Sequence, residues 1–172
     1  ITSVESKEKQ YCVGKSIKEI AQLENRTDFA EVALDLIEHE NNSVGMIDFV
    51  MNEASVKAIM AHPAGTIGSD GLLGGEPHPR AYGSFPRVLG KYVREEGVTS
   101  LEEMIRRMTS QPARIIGLQD RGIIREGMAA DIVIFNPDTV KDQATFENPR
   151  QHSVGILAVI VNGKVVVNDG NI

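Results

Sequence analysis

The run Thr66-Ile67-Gly68-Ser69-Asp70-Gly71 constrains this chain more than any other feature. A short apolar strand candidate, residues 65–69, ends in a carboxylate, and a glycine-rich loop follows at once. Upstream, residues 44–51 read as a buried strand, because Met46, Ile47, Phe49, Val50 and Met51 are nearly continuous apolar residues. Between the two, Asn52 can cap a short helix carrying Val56, Ile59 and Met60, and Pro63 helps to end it. Strand, helix and strand over roughly 25 residues match a unit of a parallel α/β sheet. In α/β barrels the C-terminal strand ends are where chemistry is done. Asp70 would stand at such an end.

The flanking segments follow other patterns. Ser16-Ile17-Lys18-Glu19 fits a capping box, with Ile17, Ile20 and Ala21 on one helical face. Asp28 can cap a second helix, whose Phe29, Val32, Ala33, Leu36 and Ile37 follow the helical period. Residues 71–84 read as a long loop rich in glycine and proline, a length that usually accompanies function or disorder. Val88, Leu89, Tyr92 and Val93 then form one stripe that ends at Gly97. Thr99 or Ser100 caps the next helix, with Leu101, Met104, Ile105 and Met108 inward. Beyond Gly117 the period turns to that of strands. Residues 131–135, 156–161 and 164–167 read as β, the last two around the hairpin pair Asn162-Gly163.

Composition excludes several classes. The net charge of -6 argues against a nucleic-acid footprint, which is normally basic. No stretch approaches the roughly 20 apolar residues of a membrane span. The first residues lack the basic-then-apolar order of a secretory leader. Cys12 is the single cysteine, which excludes an internal disulfide and makes a reducing, cytoplasmic setting the default. A start without methionine is expected of a piece of something longer.

Each chemical candidate has a plain structural reading beside it. Asp70 could bind a divalent metal and take a proton from an attacking water. It could equally open the loop as a turn residue, and on spacing alone that is the simpler reading. Arg80, in His78-Pro79-Arg80, could grip a substrate carboxylate in a bidentate fork, or anchor the loop. His78 could touch substrate or be solvated. His39, His62 and His152 lack a second ligand at helical metal spacing, so they read as structural or surface residues. Cys12 has no paired histidine nearby. Ser84 does not sit in a nucleophile elbow. The glycines at 71, 74 and 75 lack the lysine of a phosphate loop and precede Glu76.

Taken together, Gly68-Ser69-Asp70-Gly71, His78-Pro79-Arg80 and the run from Tyr82 to Gly90 resemble the C-terminal part of the N-acyl-D-amino-acid deacylases (D-aminoacylases) of the amidohydrolase superfamily. The stretches 109–114 and 122–133 resemble that superfamily's closing signature, where the last barrel helix passes into a small β domain. The resemblance implies an α/β fold: the last two strands and helices of a metal-dependent hydrolase barrel, with a helical insertion and a small β-rich domain. The division it implies is 1–45 helical insertion, 46–118 barrel and 119–172 a β-sandwich-like domain. It further implies that Asp70 ends the eighth strand, faces zinc and handles the proton of the hydrolytic water. Arg80 would bind the free carboxylate of an N-acyl amino acid, with His78 beside the substrate.

The opening His-x-His motif of the family is absent here, and Cys12 does not occupy the place of a bridging ligand. Zinc ligands other than Asp70 are therefore expected outside this chain, and the chain alone is expected to be inactive. Two barrel strands would leave edges open, so self-association, or association with the missing barrel part, is expected. The rival readings are another amidohydrolase, of dihydroorotase or hydantoinase type, and a non-catalytic assembly or binding module on the same scaffold.

Overall fold

The computed structural model describes residues 1–169, and its residues fall into two compact units. The last three residues of the expected β-rich domain lie outside the described residues.

The first unit comprises Ile1–Val50 and Gly71–His78. Helix α1 (Ile17–Leu23) opens on the expected capping box: the Ser16 hydroxyl accepts from Glu19 N, and Glu19 accepts from Ser16 N at 2.8 Å. Helix α2 (Phe29–His39) is capped by Asp28, which accepts from the amides of Ala30 and Glu31. The two helices bury Ile20, Ala21, Val32 and Leu36 together with Cys12. The buried stripe of α2 is narrower than its periodicity suggests, since Phe29 and Ile37 are exposed. The N-terminal strand-like end is pinned by a single antiparallel bridge from Ser3 to Gly45, with Thr2 N donating to Gly45 O at 2.8 Å.

The second unit comprises Met51–Asp70 and the residues from Pro79 onward. Helix α3 (Glu53–Ala61) is capped by Asn52, which accepts from Ser55 N at 2.8 Å. Helix α4 (Arg80–Arg87) passes without a break into a π-helical segment, Val88–Glu95. Helices α5 (Leu101–Met108) and α6 (Ser110–Ile115) follow, α5 capped by Ser100 through Glu103 N at 3.2 Å. The core of this unit is Val88, Leu89, Tyr92, Met104 and Val140. Half-buried Val56 and Met60 of α3 pack on it, whereas Ile59 is exposed. Gly97 closes the stripe as expected, at φ +62° with its amide on Val93 O at 3.1 Å.

Strands β1 (Ile132–Phe135), β2 (Ile156–Val161) and β3 (Lys164–Asn168) form one antiparallel sheet in the order β1-β2-β3. Val159 pairs with both Val133 and Val167. Asn162 and Gly163 both take positive φ, 47° and 78°, the signature of the tight turn their sequence predicts. A β-sandwich needs a second sheet to close it. Among the described residues this lobe has the one sheet, and Phe135 and Ile156 seal it onto the core of the second unit instead.

Three expectations are corrected. Residues 44–51 form no ladder beyond the Gly45 bridge, and Phe49 and Val50 are 74% and 76% exposed. Residues 65–69 are not a strand either; Ile67 N donates to Arg107 O at 3.3 Å. A strand exists only through its neighbours, and an apolar run alone does not make one. The third concerns the loop, which is shorter than expected. Pro79, with φ preset near the helical value, starts α4 at Arg80. Among the described residues no helix is long and apolar enough to cross a membrane.

Candidate functional site

Asp70 follows the irregular segment 65–69 and adopts φ +46°, a left-handed conformation that aspartate tolerates better than most residues. Its side chain is 84% exposed and projects from the second unit. Arg80, the first residue of α4, comes to it: Arg80 Nη2 lies 2.8 Å from Asp70 Oδ2, with the arginine side chain 41% exposed. The two residues singled out by sequence are thus partners in an ion pair, which spacing alone did not indicate. His78 belongs to the first unit and is half-buried.

The exposed Asp70 carboxylate is of the donor type that a metal could use. Among the described residues no three His, Cys, Asp or Glu side chains converge as a metal-binding group. A catalytic zinc takes three protein ligands and keeps one open position. The described residues therefore do not fit a whole zinc site; Asp70 fits as one member of a set.

The remaining candidates take structural places. His39, at the end of α2, has Nε2 3.5 Å from Glu8. His62 caps α3, and its Nδ1 accepts from Ala64 N at 3.3 Å. The His152 ring meets Tyr82 edge to face at 5.9 Å. Cys12 is fully buried in the first core. The Ser84 hydroxyl donates back to Arg80 O at 2.9 Å, within α4.

Sequence reasoning missed two buried charges. Glu40 is buried at the end of α2 and accepts from the amides of Glu5 and Ser6 at 2.7 and 2.9 Å and from the Ser6 hydroxyl. The Ser6 hydroxyl foremost, and its amide next, hold this carboxyl below the usual carboxylate range. Arg107 is buried on α5, where Nε donates to Glu103 Oε1 at 2.7 Å and Nη1 donates to Met60 O and His62 O at 2.7 and 3.0 Å. The guanidinium groups of Arg106 and then Arg107 lower the Glu103 carboxyl to about 2. The i, i+4 spacing of Glu103 and Arg107 was a signal for this pair. The α3 carbonyls that complete it lie too far away in sequence to be read.

The chain is similar to several known proteins. The chain is 49% identical over 123 residues to the N-acyl-D-glutamate deacylase of Alcaligenes xylosoxydans xylosoxydans, covering 71% of this chain and 25% of that protein. It is 42% identical to the D-aminoacylase of the same organism, covering 89% of this chain and 31% of that protein. The solved N-acyl-D-glutamate deacylase of Bordetella bronchiseptica, complexed with zinc and a phosphonate mimic of the tetrahedral intermediate, matches with a TM-score of 0.89 at 42% identity. That match covers 99% of this chain and 35% of the other. The chain thus spans about a quarter to a third of the length of the curated relatives. The amidohydrolase family model matches residues 17–167. The chain therefore belongs to the amidohydrolase family and carries that family's α/β fold.

Proposed function

We propose that this chain is the C-terminal portion of a zinc-dependent hydrolase that cleaves the amide of N-acyl-D-amino acids to a carboxylate and a free D-amino acid. The observation that carries the reading is the Asp70–Arg80 pair on a scaffold that matches a zinc-bound deacylase at a TM-score of 0.89. On this reading residues 1–45 are a helical insertion, 46–118 the end of the barrel and 119–172 the small β-rich domain.

Bound zinc supplies Lewis acidity and a water of lowered pKa. Among the described residues Asp70 would hold it, and the other donors would come from outside them. The Asp70 carboxylate accepts the proton of the attacking water and delivers it to the leaving amine. The Arg80 fork holds the free carboxylate of the substrate. In the resting pair Arg80 is occupied by Asp70, so substrate binding exchanges one carboxylate for another. Exposed ion pairs are weak, and the exchange is correspondingly easy. The setting is the cytoplasm, in keeping with a free, buried Cys12.

The test is release of D-amino acid from N-acyl-D-amino acids by the intact zinc-loaded protein. Asp70→Asn should lower kcat by about 10²–10⁴-fold. Arg80→Ala should raise KM for the acid and leave its carboxamide analogue unaffected. Undiminished turnover by Asp70→Asn, or no release from any such substrate, overturns the reading.

A further inference from the structure

Arg80 heads a helix that contains a proline. Pro86 has no amide hydrogen, so the carbonyl four residues earlier, that of Tyr82, lacks the donor an α-helix would give it. The hydroxyl of Ser153 donates to that carbonyl at 3.2 Å, across 71 residues of sequence. The neighbouring His152 ring stacks edge to face on the Tyr82 ring at 5.9 Å.

The fastening continues along the helix. Arg87 Nη1 donates to Asp142 Oδ2 at 2.9 Å. At Gly83 an added Cβ would lie 2.8 Å from the Asp142 Cβ, so the backbone there is held against that side chain. Further on, Arg94 Nη1 donates to the carbonyls of Pro137 and Val140 at 3.0 and 2.7 Å. The stretch 137–153 therefore grips the helix from Tyr82 to Arg94. Because Arg80 is the first residue of the same helix, the grip fixes where its guanidinium is presented.

We propose that the stretch 137–153, through the Ser153 hydroxyl on the carbonyl that Pro86 deprives, is the positioning element for Arg80. Ser153 is a positioning residue and touches no substrate. The inference rests on the reading of Arg80 as the residue that binds the substrate carboxylate.

The test compares Ser153→Ala, Ser153→Thr and Arg80→Ala in the intact protein, with an N-acyl-D-amino acid and its carboxamide as paired substrates. Ser153→Ala should raise KM for the acid roughly threefold to tenfold, the value of one neutral hydrogen bond. Its kcat should stay within about twofold and its KM for the carboxamide should not move. Ser153→Thr keeps a hydroxyl and should restore the acid KM. If Arg80→Ala leaves the preference for the acid intact, the reading of Arg80 fails and this inference falls with it. If Arg80→Ala erases the preference while Ser153→Ala shifts both substrates alike, or neither, the positioning role alone is overturned. Hydrogen exchange of the 80–87 amides gives a readout without turnover. Exchange should quicken in Ser153→Ala and recover in Ser153→Thr; unchanged exchange overturns the proposal.

Discussion

Arg107 is pinned between its own helix and the end of another: Nε donates to Glu103 Oε1 at 2.7 Å, and Nη1 donates to Met60 O at 2.7 Å. One buried guanidinium therefore closes the last turn of α3, whose final carbonyls have no intrahelical donor. Removing it strands the carbonyls of Met60 and His62, while Glu103 keeps its pair with Arg106. Arg107→Ala should cost about 2–4 kcal/mol, read as a lower urea midpoint at constant slope. Arg107→Lys keeps the charge and loses the fork, and should fall between the two. A midpoint equal to that of the unsubstituted chain in Arg107→Ala would rule out this role.

The same pair sets a pH dependence. Glu103 is lowered from 4.5 to about 2, first by Arg106 and then by Arg107. A depressed carboxyl stabilises the fold above its unfolded value, and that stability goes as pH falls through the folded value. The difference in unfolding midpoint between the unsubstituted chain and Glu103→Gln should be flat above about pH 5. It should shrink from about 4.5 downward and vanish near 2. A difference that does not change across this window would contradict the assignment.

What was legible in the sequence was local. Ser16, Asp28, Asn52 and the pair Thr99-Ser100 announce helix starts because a cap needs only residues within one turn; Ser16, Asp28, Asn52 and, of the pair, Ser100 cap in the structure. Asn162-Gly163 announces a hairpin for the same reason. The misread segments depend on distant partners. Residues 44–51 look like a strand by composition, yet a ladder is made by neighbours. Arg107 looks like a surface arginine until Met60 and His62 are brought under it. Asp70 and Arg80 stand out by resemblance, but their pairing follows from α4 starting at Arg80, earlier than the glycine-rich run suggested.

Two glycines with nearly the same backbone separate conformational strain from crowding. Gly14 has φ +80° and open space where a Cβ would go; Gly155 has φ +78° and would place a Cβ 2.5 Å from Val140 N. Gly14→Ala should cost about 1–2 kcal/mol, the left-handed penalty alone. Gly155→Ala adds a clash with backbone that cannot rotate away, so its thermal midpoint should drop clearly further. Equal losses in the two variants would mean that the approach of Gly155 to Val140 carries no constraint.

The surface left by the missing ladders gives the last prediction. Met46, Phe49 and Val50, in the segment that forms no ladder, are all exposed. Solvent-exposed apolar side chains in such number favour association over a lone chain. The isolated 18.8 kDa chain should therefore elute as an assembly of copies and bind a hydrophobic dye strongly. Replacing Phe49 and Val50 with lysine should weaken both signals, since charges in place of exposed apolar side chains oppose association. It should leave helix content intact, because neither residue belongs to a core cluster. A clean monomer with low dye binding at micromolar concentration would show that these side chains are tolerated in water and need no cover.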